Sequence, residues 1–200
     1  MLDAPGPDTR GPDTPRPGDP APPEGISGKG ARGKGAWARA SAAWRSTKTY
    51  GHEEGLSCCF RQWRATHSHC RLLHGYALSF RLTFASDELD ERNWCFDFGG
   101  LKPIKAWLHE MFDHTLLAAA DDPELPAFRR LAERGLVDLR VLPAVGCEAV
   151  ARHAFEHIAR FVDERTDGRV WLEEVEVREH NGNSASYAPA GGAGRPIAPR

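Results

Sequence analysis

Two segments of alternating apolar and polar residues bracket a region of helical periodicity, and this order constrains the fold more than any other feature. Tyr76–Ala85 and Val170–Val177 both alternate, and this period of two predicts half-buried strands. Between them, apolar residues recur at helical spacing over Leu101–Phe112, Glu124–Arg134 and Cys147–Val162. Strands on either side of helices predict an α+β fold, in which helices cover one face of an antiparallel sheet.

Shorter strands are predicted from composition and turn signals. Leu56–Thr66 is rich in Cys, Phe and Trp, and Val137–Leu142 is a short apolar run. Ser184–Tyr187 follows Asn181-Gly182, a pair typical of hairpin turns. These segments extend the sheet predicted from the two alternating strands.

The N-terminal segment differs sharply in composition from the rest of the chain. Eight of the 15 prolines lie in the first 23 residues, and large apolar residues are almost absent before Trp37. Such a segment buries too little surface to offset the entropy lost on ordering, so we predict that residues 1–45 are disordered. Residues 189–200 are Pro- and Gly-rich and are predicted to be flexible. One domain is therefore expected over residues 46–188.

Charge and cysteine content exclude several classes of protein. A net charge of −2 gives no reason to expect nucleic acid or an anionic membrane as a partner. The chain has no apolar run long enough for a transmembrane helix and no apolar core of a secretory signal. Five cysteines, an odd number, do not form a disulfide framework, so we expect a cytoplasmic protein.

The densest group of reactive side chains lies just before the first alternating strand, where His67, His69, Cys70 and His74 fall within eight residues. If Thr66–Cys70 is extended, His67 and His69 point to the same face, and His74 returns to them after a turn. Three imidazoles with an open fourth position are typical of a catalytic zinc site. The alternative is an exposed polar turn in which the histidines have no ligand.

Cys70 is the cysteine for which a chemical role is predicted, because a metal or protonated histidines beside it would favour its thiolate. It would serve as a base or as a fourth ligand. Cys58, Cys59 and Cys95 are interpreted as small apolar residues, and the role of Cys147 is left open.

Two further acidic side chains, Asp113 and Glu179, lie at the ends of predicted elements. Asp113 next to His114 can orient the imidazole, as an aspartate does in catalytic triads; the alternative is an ordinary helix terminus. Glu179 ends the Val170 strand and would accept two N–H donors from a guanidine-like heterocycle edge; the alternative is a solvated charge.

Taken in order along the chain, these motifs resemble the superfamily of 6-pyruvoyltetrahydropterin synthase and 6-carboxytetrahydropterin synthase over about residues 56–187. The matching motifs are aromatic-x-Ala-x-His at Trp63–His67, Cys-x-x-Leu-His-Gly at Cys70–Gly75, Asp-Phe-x-x-Leu-Lys at Asp97–Lys102, Asp-His at Asp113–His114, and Glu179 followed by Ala185 and Tyr187.

The resemblance implies a tunnelling fold, with a four-stranded antiparallel sheet and two main helices on one face. Subunits would close into a barrel, usually a homo-hexamer, with sites between subunits. Zinc would be held by three histidines, Cys70 would be the general base, Asp113 and His114 the relay, and Glu179 the anchor of a pterin substrate.

One departure affects the metal site. Tyr76 stands where the family has the second histidine of His-Gly-His, and a phenol is a poor zinc ligand at neutral pH. His69 then supplies the missing ligand beside His67 and His74, or replaces His67 as the first ligand.

The resemblance implies a zinc-dependent lyase that converts 7,8-dihydroneopterin triphosphate to 6-carboxytetrahydropterin, with release of acetaldehyde and triphosphate, in 7-deazaguanine (queuosine) biosynthesis. The alternatives are 6-pyruvoyltetrahydropterin synthase activity, or a tunnelling-fold protein that binds a pterin or purine without catalysis.

Overall fold

The computed structural model describes residues 42–189, which form seven strands and three α-helices. In chain order these are β1 Trp44–Tyr50, β2 Leu56–Phe60, β3 His74–Ser86, α1 Lys102–Phe112, β4 Thr115–Ala119, α2 Leu125–Glu133, β5 Asp138–Leu142, α3 Cys147–Thr166, β6 Val170–His180 and β7 Asn183–Tyr187. Within this range, no helix has the length and apolar character needed to cross a membrane.

The strands form one mixed sheet in the order β5-β4-β2-β3-β6-β7, with β1 paired to the second half of β3. β4 pairs in parallel with both β2 and β5, whereas the remaining pairs are antiparallel. The α+β class is therefore confirmed, but the sheet is neither four-stranded nor wholly antiparallel. All five residues of β4 are buried, so this strand has no two-residue alternation from which it could be predicted.

β3 is the longest strand and organises the sheet. β2 pairs with its first residues, from His74 to Leu78, and β1 pairs with Phe80–Ser86 along the same edge. A 3-10 turn at His52–Glu54 separates β1 from β2. β6 covers the opposite edge of β3, so that β3 is central and its buried face supplies the core.

The core lies between the sheet and the helices α1 and α3. Phe80 of β3 is fully buried and its ring lies 5.0 Å from that of Phe112, at the end of α1. From α3, Val150, Ile158 and Val162 reach the same core from one helix face. Truncating a buried Phe of this kind costs about 3–5 kcal/mol, so this layer fixes how α1 and α3 lie on the sheet.

The domain boundary predicted at residue 45 lies just inside the first strand. Trp44 and Arg45 belong to β1, and the Arg45 guanidinium contacts Glu173 of β6 at 2.5 and 2.6 Å. Residues 1–41 and 190–200, which contain nearly all of the two predicted tails, lie outside the described residues.

Candidate active site

The candidate site begins where β2 and β3 pair. Phe60 lies opposite His74, and Cys58 lies opposite Tyr76. Because side chains two residues apart share one face of a strand, His74 and Tyr76 are neighbours, with ring centroids 5.4 Å apart and planes perpendicular. The Phe60 ring lies 5.3 Å from that of His74, so an aromatic side chain supports the imidazole from the adjacent strand.

The tautomer of His74 follows from its hydrogen bond. Its Nδ1 lies 2.7 Å from the carbonyl oxygen of Leu72. A carbonyl only accepts, so Nδ1 carries the hydrogen and donates it. The lone pair of neutral His74 is then on Nε2, which is the arrangement of a histidine that binds a metal or accepts a proton.

The extended conformation predicted for Thr66–Cys70 is wrong. His67 lies in a turn, and His69 begins a 3-10 helix that runs to Arg71. Ser68 explains this local fold, because its hydroxyl accepts a hydrogen bond from the backbone N–H of Cys70 at 3.1 Å. Such a cap competes with strand pairing, and the inference that His67 and His69 share a strand face is lost with it.

The three histidines do not meet in this structure. Both His67 and His69 are exposed, whereas His74 is half-buried. Across residues 42–189, no three His, Cys, Asp or Glu side chains are grouped so that they could hold a metal ion. The residues as arranged do not fit a three-histidine zinc centre.

Cys70 is exposed and its backbone is held from two sides. Besides the bond to Ser68, its carbonyl accepts the backbone N–H of Gln62 at 2.7 Å. The side-chain amide of Gln62 in turn donates to the carbonyl of Val145 at 2.8 Å. Gln62 therefore joins the segment that carries Cys70 to the residues that precede α3.

α3 brings Cys147 to the same region. Burial, followed by the negative charge of Glu179 and Glu148, raises the pKa of the Cys147 thiol to about 12. At neutral pH this thiol is protonated and can donate a weak hydrogen bond to a carboxylate. Burial, followed by Glu179, also raises the pKa of Tyr76, so the phenol stays neutral and is unsuited to bind a metal.

The orientation of Glu179 is set by a register shift between β6 and β7. Arg178 pairs with Ser184 and His180 with Asn183, so the β6–β7 ladder leaves Glu179 without a partner. Bulges of this kind redirect a side chain and are common beside active sites. The half-buried carboxylate lies near Cys147 and Tyr76, as a predicted ligand anchor should.

Asp113 and His114 form a contact pair away from these residues. His114 Nδ1 lies 2.5 Å from Asp113 Oδ1. His114 has a positive φ of 57°, and its N–H donates to the Ser57 carbonyl at 2.6 Å. This places His114 near the start of β2, whereas Cys70 is bonded beyond its end, and a strand of this length spans about 16 Å.

The structure therefore places His74, Glu179 and Cys70 around Tyr76, leaves His67 and His69 exposed, and holds the Asp113–His114 pair near the other end of β2. Neither the contacts of Gln62 nor a role for Cys147 was predicted from the sequence. The one local signal for Gln62 and for Cys147 was the segment Val145-Gly146-Cys147. A glycine directly before a helix indicates that another group approaches the backbone closely there.

Comparisons with known proteins agree with this fold. The model of the family described as 6-pyruvoyl tetrahydropterin synthase matches residues 50–190. A 6-carboxy-5,6,7,8-tetrahydropterin synthase of Aquifex aeolicus is 26% identical over 148 residues, which are 72% of this chain and 88% of that protein. One from Rickettsia felis is 35% identical over 57 residues, but these are only 28% of this chain and 41% of that protein.

A solved structure shares the fold. An uncharacterized protein from Wolinella succinogenes superimposes with a TM-score of 0.61 at 19% identity, over 72% of this chain and 97% of that one. At this identity the likeness concerns the fold alone. The names of the curated relatives support the prediction of an enzyme of the pterin synthase type.

Proposed function

The chain belongs to the 6-pyruvoyl tetrahydropterin synthase family, and on that premise we propose that it is a lyase of the 6-carboxytetrahydropterin synthase type. The substrate is 7,8-dihydroneopterin triphosphate, and the products are 6-carboxytetrahydropterin, acetaldehyde and triphosphate. The reaction belongs to 7-deazaguanine synthesis in the cytoplasm. The choice of the carboxylated product follows the curated relatives from Aquifex aeolicus and Rickettsia felis, both named as 6-carboxy-5,6,7,8-tetrahydropterin synthases.

The observation that supports the proposal most strongly is the position of Glu179. Glu179 has no opposite residue in the β6–β7 ladder, and its carboxylate lies near Cys147 and Tyr76. A carboxylate held in this way accepts two N–H donors from the amino-pyrimidinone edge of a pterin. Tyr76 offers a flat aromatic surface beside it.

Cys70 then acts as the general base toward the side chain of the bound pterin. It is exposed and fixed through its backbone by Gln62 and Ser68, so its thiol can reach a substrate without rearrangement of the core. His74, whose lone pair lies on Nε2, stands beside Tyr76 with ring centroids 5.4 Å apart. Zinc bound by His67, His69 and His74 remains a prediction.

The proton relay, formed by Asp113 and His114, is supplied by a second subunit. Asp113 and His114 lie near the start of β2 and Cys70 beyond its end, so one chain does not bring them together. His114 is largely exposed and is free to meet a substrate bound by a neighbouring copy. A homo-oligomer, a hexamer by resemblance to the family, would complete each site.

The test is turnover of 7,8-dihydroneopterin triphosphate followed by mass spectrometry. We expect 6-carboxytetrahydropterin from the wild-type chain, no product from Cys70→Ala, and a raised KM with retained fold for Glu179→Gln. Cys95→Ala is the matched control, since that thiol is buried in the core away from the site. Formation of the pyruvoyl product by the wild type would contradict the assignment of the carboxylated product.

A second function is favoured by two observations: the three histidines are not grouped in the described residues, and Tyr76 stands where the family has the second histidine of His-Gly-His. A protein that binds a pterin without converting it would show saturable binding that Glu179→Gln weakens. It would also show no product with any metal added. That result would exclude the lyase.

A further inference from the structure

The face of α1 that leads to Asp113, the residue directly after the helix, contains two charged or titratable residues. Lys105, His109 and Asp113 recur at intervals of four, so they lie in one row on the helix surface. Together with Glu54 and His114 they form a continuous chain of contacts. Neither the sequence motifs nor the proposed function assigns a role to His109.

His109 lies between two carboxylates, one on each ring nitrogen. Its Nδ1 is 3.5 Å from Asp113 Oδ2, and its Nε2 is 3.7 Å from Glu54 Oε2. Both carboxylates only accept, so each ring nitrogen of His109 faces a negatively charged group. The imidazole thereby bridges α1 to the turn between β1 and β2.

Glu54 is itself held in place. It ends the 3-10 turn that separates β1 from β2, and its Oε2 lies 2.7 Å from the ammonium of Lys105. Hydrogen bonding to Lys105 is the largest of the effects that lower the pKa of Glu54. The carboxylate is therefore a negative charge held in place beside His109 near neutral pH.

The two oxygens of Asp113 have separate partners. Oδ1 lies 2.5 Å from His114 Nδ1, whereas Oδ2 faces His109. Hydrogen bonding to His114, with a further contribution from His109, lowers the pKa of Asp113. Rotation of this carboxylate would break both contacts at once, so the contact with His109 limits the orientations in which Asp113 can hold His114.

We propose that His109, fixed by Glu54, is a positioning residue that orients Asp113 toward His114 for the relay. This inference rests on the proposed function, because the relay matters only if the chain turns over its substrate. His109 does not touch the reacting atoms. Its effect on the reaction passes through Asp113.

Two substitutions of His109 separate the contact with Asp113 from the contact with Glu54. The amide nitrogen of His109→Asn lies near the position of Nδ1 and keeps a donor for Asp113. That of His109→Gln lies near Nε2 and keeps only the donor for Glu54. His157→Gln is the control, since His157 lies on α3, stacked on Trp107 with ring centroids 4.0 Å apart, and has no contact with Asp113.

We expect His109→Gln to lower kcat on the order of tenfold with KM unchanged, because misplacement of an oriented group is costly even when binding is intact. His109→Asn should retain more than half of the wild-type kcat, and His157→Gln all of it. Equal kcat values for the Asn and Gln variants, at matched thermal midpoints, would overturn the inference.

A readout independent of turnover separates this inference from the proposed function. The pKa of the Asp113 carboxyl, followed by NMR, should rise toward its ordinary value in His109→Gln and stay low in His109→Asn. If the wild type has no turnover but this pattern holds, the proposed function fails and the orientation of Asp113 by His109 stands. If turnover is found and the pKa is the same in both variants, the proposed function stands and the positioning role fails.

Discussion

The side-chain amide of Gln62 occupies the space that a Cβ on residue 146 would need. Gly146, the residue before α3, has a φ of 103°, and a methyl group added there would collide with Gln62 Nε2. The same amide donates to the carbonyl of Val145 at 2.8 Å. This close approach holds the Cys70 segment against the start of α3.

Gly146→Ala should destabilise the protein more than Gly135→Ala. Both glycines have positive φ, 103° and 69°, but a Cβ at residue 135 would meet nothing within 4 Å. A positive φ costs Ala about 1–2 kcal/mol in the left-handed region, whereas φ 103° with ψ 165° at residue 146 is nearly restricted to glycine. The additional loss at residue 146 therefore reports backbone strain together with the collision. Urea unfolding of the two variants measures it.

The double variant Gln62→Ala/Gly146→Ala tests the cause of that additional loss. Removal of the amide should recover part of the stability that Gly146→Ala loses, and the coupling appears as non-additivity. Strictly additive losses would show that Gln62 and Gly146 do not interact.

Thiol alkylation near neutral pH should modify Cys70 first. Cys70 is exposed, whereas Cys58, Cys95 and Cys147 are buried. Burial is the main cause that raises the pKa values of Cys58 and Cys147 to about 12, and the thiolate is the reactive form. Peptide mass spectrometry after brief treatment with iodoacetamide identifies the site; earlier labelling of Cys147 would contradict the assignment.

Asp122→Asn should lower stability by about 3 kcal/mol at neutral pH, because it removes one charge from a buried ion pair. Asp122 is 4% exposed and its two oxygens accept from Arg61 at 2.6 and 2.8 Å. Asp121→Asn is the control, since its pair with Arg64 is exposed and should matter much less.

The stability that Asp122 contributes should depend on pH in a defined direction. Hydrogen bonding to Arg61 is the largest cause that lowers its pKa, so the contribution is present above the unfolded-state pKa of about 3.9 and is lost as pH falls through the folded-state value. Wild type and Asp122→Asn should therefore converge in urea unfolding once pH falls below the folded-state pKa, where the native carboxylate becomes protonated. A constant difference at all pH values would exclude this linkage.

Metal analysis should distinguish the predicted zinc ligands. Zinc would bind only if the segment with His67 and His69 rearranges. The single variants His67→Ala, His69→Ala and His74→Ala should then each empty the site, because a centre with three protein ligands does not hold zinc after one ligand is lost. Loss of zinc in Tyr76→Phe but not in His69→Ala would show that the ligand assignment is wrong.

Deletion of residues 1–41 should leave the thermal midpoint nearly unchanged, since this Pro- and Gly-rich composition offers no apolar face. Deletion of residues 1–50 should lower it strongly. That longer deletion removes β1, which pairs with β3 over seven residues and buries Tyr50. A large effect of the shorter deletion would contradict the predicted tail.

The predictions that hold rest on periodicity, which is a local property of the chain. The alternation in Tyr76–Ala85 and Val170–Val177 predicted β3 and β6, and the helical spacing predicted α1, α2 and α3 within a few residues of their bounds. The family model confirms the resemblance inferred from the ordered motifs. The strand alternation, the helical spacing and each short motif depend on residues that are close together in the chain. The sequence by itself therefore determined them.

Only the tertiary structure decided which residues meet. The parallel strand β4 is buried on both faces and has no alternation, and Thr66–Cys70 is bent by the cap of Ser68. The contacts of Gln62 with Val145 and of Glu54 with His109 join residues 83 and 55 positions apart. Contacts over such separations depend on how β2, α1 and α3 pack against one another, because only that packing brings groups so distant in the sequence into contact.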